Sequence, residues 1–244
     1  MCNYFMSWGV SSWYGLFMLR RIFAIGGGGF DSESAHGDGL DRFMLDWIGV
    51  EKPKVCLIPT ASGDSLFRIA RFQKSCELLG ITGNTLELYR LEVEDIEAYL
   101  DEHDLIFVSG GNTRNMLVLW REWGVDTAIR HLYDRGKPLA GVSAGANCWF
   151  RTYSTDSNPG GLSNLEGLGW VDEYCCPHYD EEPERKPHVA GSLAFGVMDR
   201  ALCIDGGVGV VIENEAPVGF APVGEGKAYW VSESGTEILP KFSR

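Results

Sequence analysis

The chain has 244 residues, 45% hydrophobic and 23% charged, with a net charge of −13. That length suits one large domain able to bury a full core. The negative balance sets it against nucleic acid and anionic membrane surfaces, both of which would repel it, and it also serves solubility. Seven cysteines stand at positions 2, 56, 76, 148, 175, 176 and 203, with no CxxC pair of zinc-type spacing. Several lie in apolar runs such as "KVCLIP" and "RALCIDG", where a reduced thiol behaves as a small hydrophobe. A reducing, cytoplasmic setting is expected.

The opening "MCNYFMSWGVSSWYGLF" carries no charge before Arg20 and lacks the basic start of a signal peptide. Residues 1–17 are therefore read as an extension outside the core, and 18–244 as a single α/β domain. From there short apolar runs alternate with amphipathic stretches. "RRIFAIGGGGF" is a strand running into a glycine turn, and "DGLDRFMLDWIGV" has helical spacing at Leu40, Phe43, Met44 and Trp47. "KVCLIPTAS" is a second strand, and "SLFRIARFQKSCELLG" a helix stopped at Gly80. "NTLELYRL" reads as a third strand and "EVEDIEAYLDEH" as a short helix. "DLIFVSGGNTRN" is a fourth strand with a glycine turn, and the helical region after it, up to Asp134, is broken at Gly124. "KPLAGV" is a fifth strand ending at Ser143.

Beyond Tyr153 the pattern loosens. "STDSNPGGLSNLEGLGW" is loop-like, and "VGVVIEN", "APVGFAPV" and "KAYWVSE" alternate as antiparallel strands at a sheet edge. Strands of about five residues between helices predict a three-layer sandwich, a mostly parallel sheet with helices on both faces. In such sheets ligands bind at the carboxyl ends of the strands. The turns "GGGGF", "PTASGDS", "SGGNTRN" and "GVSAGAN" all fall there.

"Gly141-Val142-Ser143-Ala144-Gly145" matches the G-x-S-x-G elbow, with the strand before it and the helix after it that such a nucleophile requires. The alternative is a turn in which Ser143 only caps a helix. "Val108-Ser109-Gly110-Gly111-Asn112" is a second turn whose N–H groups can join that of Ala144 in an oxyanion hole, with Asn112 as a helix cap. Among the five histidines, His36, His103, His131 and His188 are read as surface residues. His178, between Pro177 and an acidic run, is chosen as general base. A metal ligand is its rival reading. Asp205, at the end of an apolar run, is placed to orient the imidazole, or else is a turn aspartate. Gly26 to Gly29 are read as clearance at a substrate pocket, and Cys148 as facing the core.

Together "FAIGGGGF", "LIPTAS", "IFVSGGNTRNMLVLW", "LAGVSAGANCWF" and "CPHYDEE" resemble the peptidase E family, the aspartyl dipeptidase-like serine peptidases. The resemblance implies a fold like the class I glutamine amidotransferases with serine at the elbow, a Ser-His-acid site and no metal or cofactor. By position it implies Ser143 as nucleophile, His178 as base, and Gly111 and Ala144 as the oxyanion hole. The acid is Asp205 if it precedes Gly206; in the other alignment Gly206 occupies the acid position, and Asp156 is the fallback. Asn112, Asp156 and Arg185 are the candidate substrate contacts, Arg185 either gripping a substrate carboxylate or pairing with Glu181 or Glu182. The expected activity is hydrolysis of small peptides, dipeptides with N-terminal aspartate among them. Its rivals are a cyanophycinase-like β-aspartyl hydrolase and a silent binding module. Expected partners are a small peptide substrate, no nucleic acid and no membrane, in a monomer or homodimer.

Overall fold

The computed structural model describes residues 18–30 and 37–243, so the expected extension at 1–17, and His36, lie outside the described residues. A seven-stranded sheet forms the centre. Its strands are β1 (Arg21–Ile25), β2 (Lys54–Ile58), β3 (Thr82–Thr85), β4 (Leu105–Val108), β5 (Leu139–Val142), β10 (Val208–Glu213) and β11 (Ala216–Pro222). They run in the order β11-β10-β1-β5-β4-β2-β3. From β1 to β3 all neighbours are parallel, and β10 and β11 close one edge antiparallel.

Alternation along the strands sorts the core into two layers. Ile22, Ala24, Cys56, Ile58, Ile106 and Val108 face α4 (Thr113–Trp123) and α5 (Val125–Asp134). Phe23, Ile25, Val55, Leu57, Phe107 and Val142 face α1 (Gly37–Ile48) and α2 (Leu66–Leu79). Both faces are covered, which is why these strands read as unbroken apolar runs. The three-layer expectation holds.

The carboxyl-terminal half builds more than a sheet edge. β6 (Phe150–Thr155), β7 (Ser163–Glu166), β8 (Val171–Cys176), β9 (Arg200–Ile204), β12 (Ala228–Ser232) and β13 (Gly235–Ile238) form a second, six-stranded sheet in the order β13-β12-β9-β8-β6-β7. Phe150, Tyr153, Cys175, Leu202 and Ile204 join the same core as α4 and α5. The other face packs Tyr174, Cys176 and Cys203 on Val189 and Leu193 of α7 (Arg185–Ala194).

Three local expectations change. "VGVVIEN" and "APVGFAPV" are edge strands of the central sheet, but "KAYWVSE" belongs to the second sheet. The stretch read as loop after Tyr153 contains β7, whose polar residues pair with β6. The third strand is "TGNT" and not "NTLELYRL"; Leu86 and Leu88 reach the core from the coil beyond it. Burial was read as a strand, when a single backbone hydrogen bond, Leu86 N–H to Leu57 O at 2.9 Å, is all that continues the ladder. The break at Gly124 is as expected, with the residue left-handed between α4 and α5. Among the described residues no helix is long and apolar enough to cross a membrane.

His103 is not the surface residue it was taken for. It is 1% exposed, its Nδ1 stands 2.9 Å from Tyr99 O and its Nε2 2.9 Å from Asn84 Nδ2. A carbonyl needs a donor and an amide N–H an acceptor, so the ring is neutral with its proton on Nδ1. Burial holds its pKa below the ordinary 6.5. The unfolded chain therefore binds a proton in a pH range where the folded chain does not, and stability falls as pH drops below 6.5. Urea denaturation from pH 8 to pH 5 is expected to show that loss, and His103→Gln to flatten part of it. A slope unchanged in the variant refutes the assignment.

Candidate active site

Ser143 follows β5 and opens α6 (Ala144–Asn147) with φ 56° and ψ −108°. A non-glycine residue in this region carries strain of about 1–3 kcal/mol. Backbone bonds hold it there: Ser143 N–H donates to Ile25 O at 3.0 Å, and Ser143 O accepts from the N–H groups of Ala146 and Asn147 at 3.0 and 2.8 Å. The serine makes no side-chain cap to the helix. Its flanking glycines are required by close packing. A Cβ at Gly141 would overlap the Gly145 carbonyl, and one at Gly145 the carbonyl of Val108 on β4.

His178 lies two residues past the end of β8 and is also left-handed, at φ 53°. Its carbonyl accepts from the N–H groups of Glu181 and Glu182, both at 3.2 Å, so the chain makes one helical turn there. That turn carries Glu181 back over the ring, with Oε2 2.5 Å from Nδ1. The space for this pair comes from two glycines that the sheet brings side by side, Gly27 and Gly206, joined by a parallel bridge. A Cβ at Gly27 would stand 2.6 Å from Glu181 Oε2 and 3.2 Å from His178 Nδ1, and one at Gly206 would overlap the Glu181 carboxyl. Gly27 thus makes room for the histidine and its carboxylate, where the sequence suggested a substrate pocket, while Gly26 packs on the Asp205 carbonyl and Gly29 on Phe107.

Gly27 is two residues beyond Ile25, the partner of Ser143 N–H, so serine and histidine meet at the carboxyl edge of neighbouring strands. Among the described residues no hydrogen bond joins Ser143 to His178. Such contacts commonly tighten only when substrate is bound.

Comparison with known proteins follows this geometry. Residues 22–217 match the model of Peptidase family S51. The chain belongs to that family. It is 43% identical over 169 residues to the uncharacterized peptidase YgaJ of Bacillus subtilis, covering 69% of this chain and 73% of that one. Peptidase E of Streptomyces coelicolor is 28% identical over 158 residues, 62% of this chain and 63% of its own. A crystal structure of a peptidase from an acI-B1 Actinobacterium covers 93% of this chain and 96% of its own at TM-score 0.67 and 20% identity. One of a putative peptidase E protein from Listeria monocytogenes covers 84% and 99% at TM-score 0.64 and 22% identity. The last two share the fold. This S51 chain is a serine-type peptidase.

The acid is where the sequence reading departs from the structure. Asp205 does not meet His178: its Oδ2 accepts from Lys227 N–H at 2.9 Å and Tyr229 O–H at 3.1 Å, inside the second sheet's rim. It is 5% exposed, and burial raises its pKa. Nor is Asp156 the imidazole's partner, being exposed on the loop after β6. Glu181 was passed over because it sits in a run of acids. The readable signal was its place three residues after the histidine, one helical turn away.

The other candidates separate by neighbourhood. Gly111 and Ala144 have N–H groups with no acceptor among the described residues, and the Gly110 backbone adjoins the serine, a Cβ there lying 3.3 Å from Ser143 Cβ. Asn112 caps α4 by accepting from Asn115 N–H at 2.8 Å, and its amide donates to Ser157 O at 3.1 Å. Arg185 is 3% exposed; it donates to Glu182 at 2.8 Å and to Ser154 O at 3.1 Å. Its pairing reading holds, and a substrate carboxylate would have to displace Glu182. Cys148 is fully buried, its thiol pKa raised by burial, so it faces the core as expected.

Gly145→Ala is expected to cost about 1–3 kcal/mol of folding stability, the usual price of overpacking, because the added methyl displaces the β4 backbone. Urea midpoints measure it. A variant as stable as the parent would show that α6 moves freely on β4.

Proposed function

We propose that this peptidase is a dipeptidase-like exopeptidase for small peptides, those with N-terminal aspartate among them, working through Ser143, His178 and Glu181. The observation that carries the reading is the strained Ser143 elbow beside a His178–Glu181 pair seated on Gly27 and Gly206. Ser143 Oγ attacks the scissile carbonyl while His178 Nε2 takes its proton. The Gly111 and Ala144 N–H groups receive the oxyanion, and one such donor is typically worth about 3 kcal/mol of barrier. The imidazolium then protonates the leaving amine as the acyl-enzyme forms. Water, deprotonated by the same imidazole, releases the acid. Glu181 keeps the Nδ1 proton in place, so that Nε2 is free to accept, and stabilises the imidazolium. Asn112, Asp156 and Arg185 take no part in the chemistry. The partner is a small peptide.

A cyanophycinase-like enzyme would need a cradle of acids for arginine side chains, and the acids from Asp180 to Glu184 are the candidates for it. Three of them have internal partners: Asp180 accepts from Gly206 N–H at 2.7 Å, Glu181 serves His178, and Glu182 holds Arg185. This favours the dipeptidase reading. A silent module has no use for the strain held at Ser143.

Incubation with Asp-Leu, Leu-Leu and β-Asp-Arg is expected to give turnover of Asp-Leu that Ser143→Ala abolishes. Cleavage of β-Asp-Arg alone moves the protein to the alternative, and no cleavage of any peptide by folded protein refutes both. Glu181→Gln is expected to lower kcat by roughly 10²–10⁴-fold, while Asp205→Asn, which keeps an acceptor for Lys227 and Tyr229, stays within about tenfold of the parent. The reverse pattern would return the acid role to Asp205.

A further inference from the structure

A peptide with an N-terminal aspartate brings a carboxylate to within a few ångströms of the attacked carbon, and a dipeptide brings a second one at its C-terminus. In either case the carboxyl carbon is three bonds from the scissile carbonyl, within about 4 Å. The site's visible charges are unsuited to this: Asp180, Glu181 and Glu182 lie within four residues of His178, and Arg185 is committed to Glu182. A cation must come from another element.

The start of α2 supplies one. The point at which a Cβ would stand on Gly110 is 3.3 Å from Ser143 Cβ and 3.8 Å from Arg68 Nη1. The same point is 3.5 Å from Val142 O, so the Gly110 backbone packs against the elbow, with the Arg68 guanidinium in the same neighbourhood. Arg68 is half-buried on the first turn of α2. The Gly110 loop also carries Gly111, whose N–H has no acceptor among the described residues.

We propose that Arg68 is a substrate-binding residue that grips a carboxylate of the peptide beside the scissile bond. The assignment rests on the peptidase reading of Ser143. A guanidinium offers five N–H donors in a planar fork that matches a carboxylate in two-point contact, so a substrate carboxylate adds to the other contacts of the side chain. A carboxylate bound by Arg68 would lie close to Ser143 and hold the scissile carbonyl near Oγ. Placement of that kind is what separates peptides bearing a nearby acid from neutral ones. Substrates of this class are short peptides with an aspartyl side chain at the N-terminus or a free carboxylate one residue after the scissile bond.

Binding to protein carrying Ser143→Ala, which cannot turn peptides over, tests this by isothermal titration with and without Arg68→Gln. The ligands are Asp-Leu, Asp-Leu amide and Leu-Leu. Arg68→Gln is expected to weaken Asp-Leu about 10–100-fold, the loss that goes with one charge-assisted contact, and Arg68→Lys to restore part of it. An equal loss with Asp-Leu amide assigns the carboxylate to the aspartyl side chain; an equal loss with Leu-Leu assigns it to the C-terminus. Affinities that match within about twofold with and without Arg68→Gln overturn the proposal, as does failure of folded protein to bind any of the three. Peptides that bind through Arg68 but are not cleaved when Ser143 is present would sink the peptidase reading and leave the carboxylate site standing. Cleavage with Arg68-independent binding would do the opposite.

Discussion

The site depends on how closely α6 can approach the central sheet. Gly145 lies against the Val108 carbonyl of β4 and Gly141 against the Gly145 carbonyl, with no room for a methyl group at either contact. That approach pulls the chain through a turn so sharp that the residue at its apex, Ser143, is left-handed. A serine there presents its hydroxyl above the sheet edge, while the first N–H groups of α6 point to the same side. Strain, exposure of the nucleophile and availability of oxyanion donors are three consequences of one packing constraint. The two glycines of the motif are dictated by backbone proximity, and the chemistry follows from it.

A second constraint of the same kind shapes the base. Gly27 ends the segment after β1 and Gly206 the one after β9, and their bridge leaves a pocket where two side chains are missing. The Glu181 carboxyl fills it. Its backbone reaches the place through the turn after His178, itself left-handed, so base and orienting group travel together on one short segment. A carboxylate three residues from the histidine, on the same helical turn, keeps its distance through the backbone of that turn alone.

The fold was legible where apolar strands are buried on both faces, since β1, β2, β4 and β5 announce themselves as runs and the glycines after them mark the active edge. The second sheet was legible only in part. Its strands are half-polar, β7 most of all, and β9 pairs with β8 and β12 across about 25 residues on either side, so local pattern does not reveal which sheet they join. Ser143 and His178 stood out because each is framed by residues with few other uses: paired glycines in one case, a proline and an apolar strand end in the other. Glu181 did not, because one acid among four looks like a solvated run. His103 was misplaced for the converse reason. A polar ring in a helix-flanking position reads as surface until Asn84 and Tyr99, which bury it, are seen to satisfy both nitrogens.

The acidic run then turns out to be a set of separate devices. Asp180 accepts the Gly206 N–H and so clamps the glycine bridge, Glu181 holds the imidazole, and Glu182 neutralises the buried Arg185 at the start of α7. Carboxylates left unpaired at this density would repel one another. Asp180, Glu181 and Glu182 each have a donor instead, so acids gather next to His178 without destabilising the turn that carries them. The same arrangement leaves a net negative wall on the β8 side of the nucleophile. Arg68, which α2 brings up to the Gly110 turn, is the cation we propose to receive an acidic peptide.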